Sequence, residues 1–212
     1  MDINKYIDYA VLKPNLSFKE MGKECLVAAI NEYYSICVNP CKIGDVASVF
    51  SDQQAFDITP KVSCVLNFPL GTSSVESIRK DLTIADKYTD EFDIVLPLFL
   101  IADKEWDLLS RWCKDVRERT RKPIKGIIEI GYWYDLKIVK ALVEILIDSK
   151  WDFIKTCTGF GPRGVELGDI ELLKKLCKDD IKIKASAGIK DKKFAEQLIN
   201  AGADRIGTSS II

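Results

Sequence analysis

The sequence contains no histidine. That absence removes histidine-based triads, zinc hydrolases built on imidazole ligands and two-histidine iron sites, so acid–base chemistry must run through Lys, Asp, Glu, Tyr, Cys or water. Long apolar runs are lacking too. The N-terminal stretch MDINKYIDYAVLKP reads neither as a signal peptide nor as a membrane span, and a cytoplasmic protein with no membrane partner is the expectation. Basic runs are missing: 31 Lys and Arg against 32 Asp and Glu are interspersed, giving a net charge of −1, and no nucleic-acid partner is expected. The densest basic cluster, Arg117, Arg119, Arg121 and Lys122, reads as a solvated helix end before Pro123. The seven cysteines are odd in number and irregularly spaced, as expected of reduced thiols. Cys37 and Cys41 have no second pair at a zinc-like interval, so neither a metal nor another cofactor is expected.

What is present is an ordinary globular balance: 212 residues, 47% hydrophobic and 30% charged. That suits one domain over 1–212, at the lower size limit of a closed α/β barrel. Short apolar runs alternate with amphipathic stretches. The strand candidates are YIDYAVL, YSICVN, KVSCVLNF, EFDIVLPL, IKGIIEI, FIKTCTGF, IKIKASAG and DRIGTSS. Helical patterns fill 17–32, 41–50, 73–88, 103–119, 135–149, 166–178 and 191–201. Ser17 followed by Glu20 is a capping-box signature, Asp191 is a candidate N-cap and Gly202 a helix stop. Eight strands with seven intervening helices predict a (β/α)8 TIM barrel rather than an open sheet, for which a Gly-rich dinucleotide fingerprint after the first strand is missing. The eighth outer helix would be truncated or missing. The apolar surface left there calls for cover by the N-terminal segment or by a partner subunit, and a homo-oligomer is the favoured expectation.

Strands buried on both faces should be apolar, so charges within them are informative. Asp8, Asp93, Lys125, Lys155, Lys182 and Lys184 all break that rule, and Glu129 stands near the end of the fifth strand. Lys182 starts its strand and is expected to reach water. Alternation sends Phe153, Lys155 and Cys157 to one face and Ile154 and Thr156 to the other, which turns Lys155 inward; in the next strand Lys184 turns inward between outward Ile181 and Ile183. Two inward lysines on adjacent strands come close together. A neighbouring cation and desolvation lower the pKa of a lysine, exposing a neutral amine that can form an iminium with a carbonyl compound. Asp93 is then placed to shuttle protons, directly or through water. The loops TCTGFGPRG, ASAG and GTSS are rich in Gly and hydroxyl residues at successive strand ends, a pattern suited to phosphate.

The segments YIDYAVLKP, SICVNP, VLNFPLG, EFDIVLP, IKGIIE, DFIKTCTGF, IKIKASAGI and AGADRIGTSS, in this order over nearly the whole chain, resemble deoxyribose-phosphate aldolase. The resemblance implies a class I aldolase barrel that reversibly cleaves 2-deoxy-D-ribose 5-phosphate to acetaldehyde and D-glyceraldehyde 3-phosphate. It implies Lys155 as Schiff-base nucleophile, Lys184 as its tuning partner and Asp93 in the proton relay. It likewise implies Gly159, Gly188, Gly207, Ser209 and Ser210 around the phosphate, with Asp8 and Lys125 in supporting substrate-binding positions. Departures from the family's pattern are Tyr9 and Ala10 in place of His-Thr, Ala187 in place of the first glycine of a pair, Ile130 in place of threonine, and Phe160 to Gly164 in the loop after Gly159. Arg163 in that loop either meets the phosphate or narrows the pocket. Two alternatives remain at this point: a related Schiff-base aldolase for a different phosphosugar or aldehyde, and a phosphosugar-binding barrel without catalysis.

Overall fold

The computed structural model describes residues 2–51 and 59–212. Eight parallel strands, β1 (Ile7–Val11), β2 (Ser35–Val38), β3 (Lys61–Leu66), β4 (Glu91–Val95), β5 (Ile124–Ile127), β6 (Phe153–Lys155), β7 (Lys182–Ser186) and β8 (Arg205–Thr208), close in sequence order into a barrel, β8 pairing with β1. Around it lie α1 (Phe18–Ile30), α2 (Ile43–Phe50), α3 (Val75–Ala85), α4 (Leu98–Ala102), α5 (Trp106–Glu118), α6 (Leu136–Asp148), α7 (Leu167–Cys177) and α8 (Lys192–Asn200). This is a (β/α)8 barrel. None of these helices is long and apolar enough to cross a membrane.

The local signals act where the sequence puts them. Ser17 and Glu20 form a reciprocal capping box at α1, Asp191 accepts from the Phe194 N–H at the start of α8, and Gly202 takes φ +117° just past its end. One helix is additional to the sequence reading: α4 follows Pro97, shares only Leu98 with the fourth strand candidate, and otherwise falls before the helical pattern that starts at 103. Apolar runs of this length carry no period that separates strand from helix. The β4–β5 connection therefore holds two helices.

No helix follows β8 among the described residues, as expected, yet its apolar side is covered within the chain. Ile206 is fully buried, and a 3₁₀ turn at Ile3–Tyr6, with Ile3 buried, packs against α8. Ile206 is thus buried within the chain, with the N-terminal turn set beside the neighbouring helix α8.

The apolar core is the shell between strands and helices, holding residues such as Ile36, Ile94, Ile154 and Ile183 from the outward strand faces and Leu82, Leu109, Leu142 and Leu173 from the helices. The inside of the barrel differs. Its axis is filled by Asp8, Ser35, Ser63, Glu91, Asp93, Lys125, Lys155 and Lys184, all buried and polar or charged. Alternation along each strand separates the two environments.

Candidate active site

Register brings the charges together: Lys155 lies beside Lys184, Asp93 beside Lys125, and Asp8 beside Gly207. Asp93 is their centre. Its Oδ2 accepts from Lys155 Nζ and Lys184 Nζ, both at 2.7 Å, and its Oδ1 accepts from Lys125 Nζ at 3.0 Å and Ser63 Oγ at 3.2 Å. Asp8 accepts from Lys184 through Oδ2 and from Ser35 Oγ at 2.8 Å through Oδ1. Below them Lys125 forms an ion pair with Glu91. The two lysines expected to lie close together are thus bridged by one carboxylate oxygen.

The electrostatics follow from this bridging. Burial pushes the Asp93 carboxyl up, but Lys125, Lys155 and Lys184 together outweigh it and hold the group well below the usual carboxylate range. Asp8 is lowered in the same way, Lys184 and Lys125 outweighing burial. Burial would lower Lys184, yet Asp8 and Asp93 raise it; Lys125 is raised further by Asp93, Asp8 and Glu91. Lys184 and Lys125 are therefore held as cations.

A cavity of about 530 Å³ opens above this layer at the C-terminal ends of the strands, a size suited to a small-molecule ligand. Lys155, Lys184, Asp8 and Cys37 reach it, as do Gly159, Gly188, Gly207, Ser209 and Ser210. Asp93 and Lys125 do not line it. Asp93 lies one hydrogen bond beneath through Lys155, whereas Lys125 is wholly enclosed.

The walls are laced just beyond the two lysines. The Ser186 N–H donates to Thr156 Oγ1 at 3.0 Å, and Ser186 Oγ donates to the Cys157 carbonyl at 2.6 Å, tying β6 to β7 at the rim. At Gly207 a Cβ would lie 2.9 Å from the Ser186 Cβ and 3.1 Å from the Lys184 Cε, so glycine there leaves room for the lysine. Ala187 and Gly188 both adopt positive φ, +74° and +79°. Alanine thus holds the left-handed conformation normally given to glycine. Arg163 does neither of the things considered from sequence: its guanidinium pairs with both Asp169 oxygens, at 2.6 and 2.8 Å, and lies outside the cavity lining.

The sequence reading did not single out Lys13, Thr158 or Lys190, which line the cavity, or Glu91 beneath it. Lys190 was the most accessible of these, standing directly after ASAGI. Glu91 shares the inward face of β4 with Asp93, two residues away, and alternation alone could have found it.

No family model matches the chain. Individual relatives do. It is 39% identical over 212 residues to a deoxyribose-phosphate aldolase of Aquifex aeolicus, covering 99% of this chain and 93% of that protein. It is 35% identical over 218 residues to that of Thermococcus gammatolerans, covering 99% and 93%. Among solved structures, the aldolase QR15 superposes with a TM-score of 0.92 at 39% identity, over 99% of this chain and 92% of that one. A tetrameric deoxyribose phosphate aldolase from Aeropyrum pernix shares the fold, with a TM-score of 0.86 at 24% identity over 98% and 87%. With relatives this similar over almost its whole length, the chain belongs to the deoxyribose-phosphate aldolase family.

Proposed function

We propose that this chain is a Schiff-base aldolase that cleaves 2-deoxy-D-ribose 5-phosphate reversibly to acetaldehyde and D-glyceraldehyde 3-phosphate, with Lys155 as nucleophile. The observation that carries the choice of lysine is the difference in ion pairing among the three. Lys125 faces Glu91, Asp93 and Asp8, and Lys184 faces Asp8 and Asp93, whereas Lys155 faces Asp93 alone and reaches the cavity. An amine with one carboxylate beside it and a fixed cation next door gives up its proton more readily than one clamped by two or three carboxylates.

In this reading the Lys155 amine adds to the C1 aldehyde, and loss of water leaves an iminium. The C2–C3 bond then breaks, its electron pair moving toward the iminium to give an enamine while the C3 hydroxyl loses its proton. D-Glyceraldehyde 3-phosphate departs, the enamine takes a proton at C2, and water releases acetaldehyde from the amine. Asp93 relays the proton that Lys155 gives up without retaining it, and cavity water carries it onward. Lys184, held cationic, disfavours a second positive charge on the free nucleophile. The backbone and hydroxyl groups at Gly159, Gly188, Gly207, Ser209 and Ser210 surround the phosphate, with Lys13 and Lys190 supplying charge at the mouth. Asp8 fixes Lys184, and Lys125 supports Asp93 from below.

The test is borohydride reduction in the presence of 2-deoxyribose 5-phosphate, followed by intact-mass analysis and peptide mapping. A two-carbon adduct on Lys155 is expected. An adduct on another lysine, or none on folded protein, overturns the assignment.

We further propose a cytoplasmic homo-oligomer. Seven free cysteines, six of them buried, suit a reducing compartment, and α1 leaves Phe18, Leu26 and Ile30 exposed. Light scattering coupled to size exclusion should give a multiple of the 23.9 kDa chain mass; a monomer would refute the assembly.

A further inference from the structure

We propose that Glu91, acting through Lys125, is a positioning residue that sets how much of the Asp93 charge falls on Lys155, and so the pH at which the nucleophile becomes a free amine. The inference rests on the reading of Lys155 given above.

Glu91 opens β4 and is 2% exposed, on the same inward face as Asp93. Its carboxylate forms an ion pair with Lys125, whose ammonium group is fully enclosed and also reaches Asp93 Oδ1 at 3.0 Å and Asp8 Oδ2 at 3.7 Å. Lys125 is thus shared among three carboxylates. The more of its charge Glu91 takes, the less Asp93 is neutralised, and the more negative potential Asp93 presents at its other oxygen to Lys155 and Lys184. Burial makes this sharing strong, because water does not screen charges inside the barrel.

The surrounding groups can be counted element by element. β1 supplies Asp8; β2 supplies Cys37, whose thiol burial keeps protonated; β3 supplies the Ser63 hydroxyl; β4 supplies Glu91 and Asp93. β5 supplies Lys125, β7 supplies Lys184, and β8 supplies Arg205, with its Nε 3.9 Å from Asp8. Lys182, at the start of β7, is exposed over the Phe153 ring. Three buried carboxylates therefore meet three fixed cations, Lys125, Lys184 and Arg205. Arg205 is partly exposed at the edge, so within the enclosed set Asp8, Glu91 and Asp93 are balanced by Lys125, Lys184 and a protonated Lys155. Glu91 supplies the third negative charge in that balance, and nothing in the chemistry at Lys155 requires it to touch the substrate.

Removing that charge makes the set more positive and disfavours protonated Lys155. In Glu91→Gln the acid limb of acetaldehyde trapping by borohydride, followed as adduct against pH, should move to lower pH by about one unit. Glu91→Asp keeps the charge but shortens its reach, and should move the limb the same way by less. In the double variant Glu91→Gln, Lys125→Met one charge of each sign is gone, and the limb should return toward its original position. A merely structural role would lower the amount of active protein without moving the limb, in the single and double variants alike. Absence of any adduct in the unaltered protein overturns the Lys155 reading and this inference with it. An adduct on Lys155 whose pH dependence is the same in Glu91→Gln, or in Glu91→Asp should the first variant not fold, overturns this inference alone.

Discussion

Asp93 joins three lysines through two oxygens, and its substitution separates two contributions. Asp93→Asn keeps the shape and removes the charge. If the carboxylate carries protons in turnover, kcat should fall by about 10²- to 10⁴-fold, while borohydride still traps an adduct on Lys155. Loss of trapping together with turnover would place Asp93 at an earlier step, before the iminium forms. At this scale the sequence was informative wherever a side chain's direction followed from alternation: Lys155, Lys184 and Asp93 all face inward as their strands require. It was silent on depth. Lys125 and Lys155 stand on neighbouring strands, but one is enclosed and the other reaches the cavity, because stagger around a closed barrel sets height along the axis and single-strand patterns do not contain it. Arg163 was equally unreadable, since its partner Asp169 lies six residues on across a turn that brings the two side chains together.

Among the elements, the helices with caps were the clearest in the sequence. At α1 the Ser17 N–H donates to Glu20 Oε2 at 2.7 Å and the Glu20 N–H to Ser17 Oγ at 3.3 Å. Ser17→Ala should destabilise the protein by about 1 kcal/mol, which for a chain of this size lowers Tm by about 2–4 °C. Calorimetry checks it, and an unchanged Tm would mean that packing alone fixes the start of α1. The helix α4 was hidden for the opposite reason. It has no side-chain cap, and its Leu98–Ala102 stretch is apolar throughout, so nothing local distinguishes it from the strand it follows. β6 is regular for only Phe153–Lys155, although its residues read as a longer strand. Isolated pairings continue past it, from the Thr156 N–H to the Lys184 carbonyl and from the Ile130 N–H to the Thr156 carbonyl. The chain thus leaves regular strand geometry directly after the proposed nucleophile.

For the whole molecule, the buried charges tie stability to pH at both extremes. Asp8 and Asp93 titrate below the carboxylate value of 3.8 in the folded chain, so their contribution is present above that value and is lost as pH falls through the folded values. Lys125 and Lys184 titrate above 10.5, so theirs is present below that value and is lost as pH rises through the folded values. Chemical denaturation should show little contribution from these four groups to the slope of stability between about pH 5 and pH 9, with losses beginning below and above that window. A steep slope near neutrality would require another buried group to change charge there.

The enclosed pairing of Glu91 with Lys125 also bears on how such a barrel can change over generations. Removing one partner of a buried ion pair strands the other and destabilises by about 3–5 kcal/mol, a large part of what a domain has, whereas replacing both by apolar groups is often close to neutral. Drift at either position alone is therefore closed off, and a lineage can lose these two side chains only as a pair.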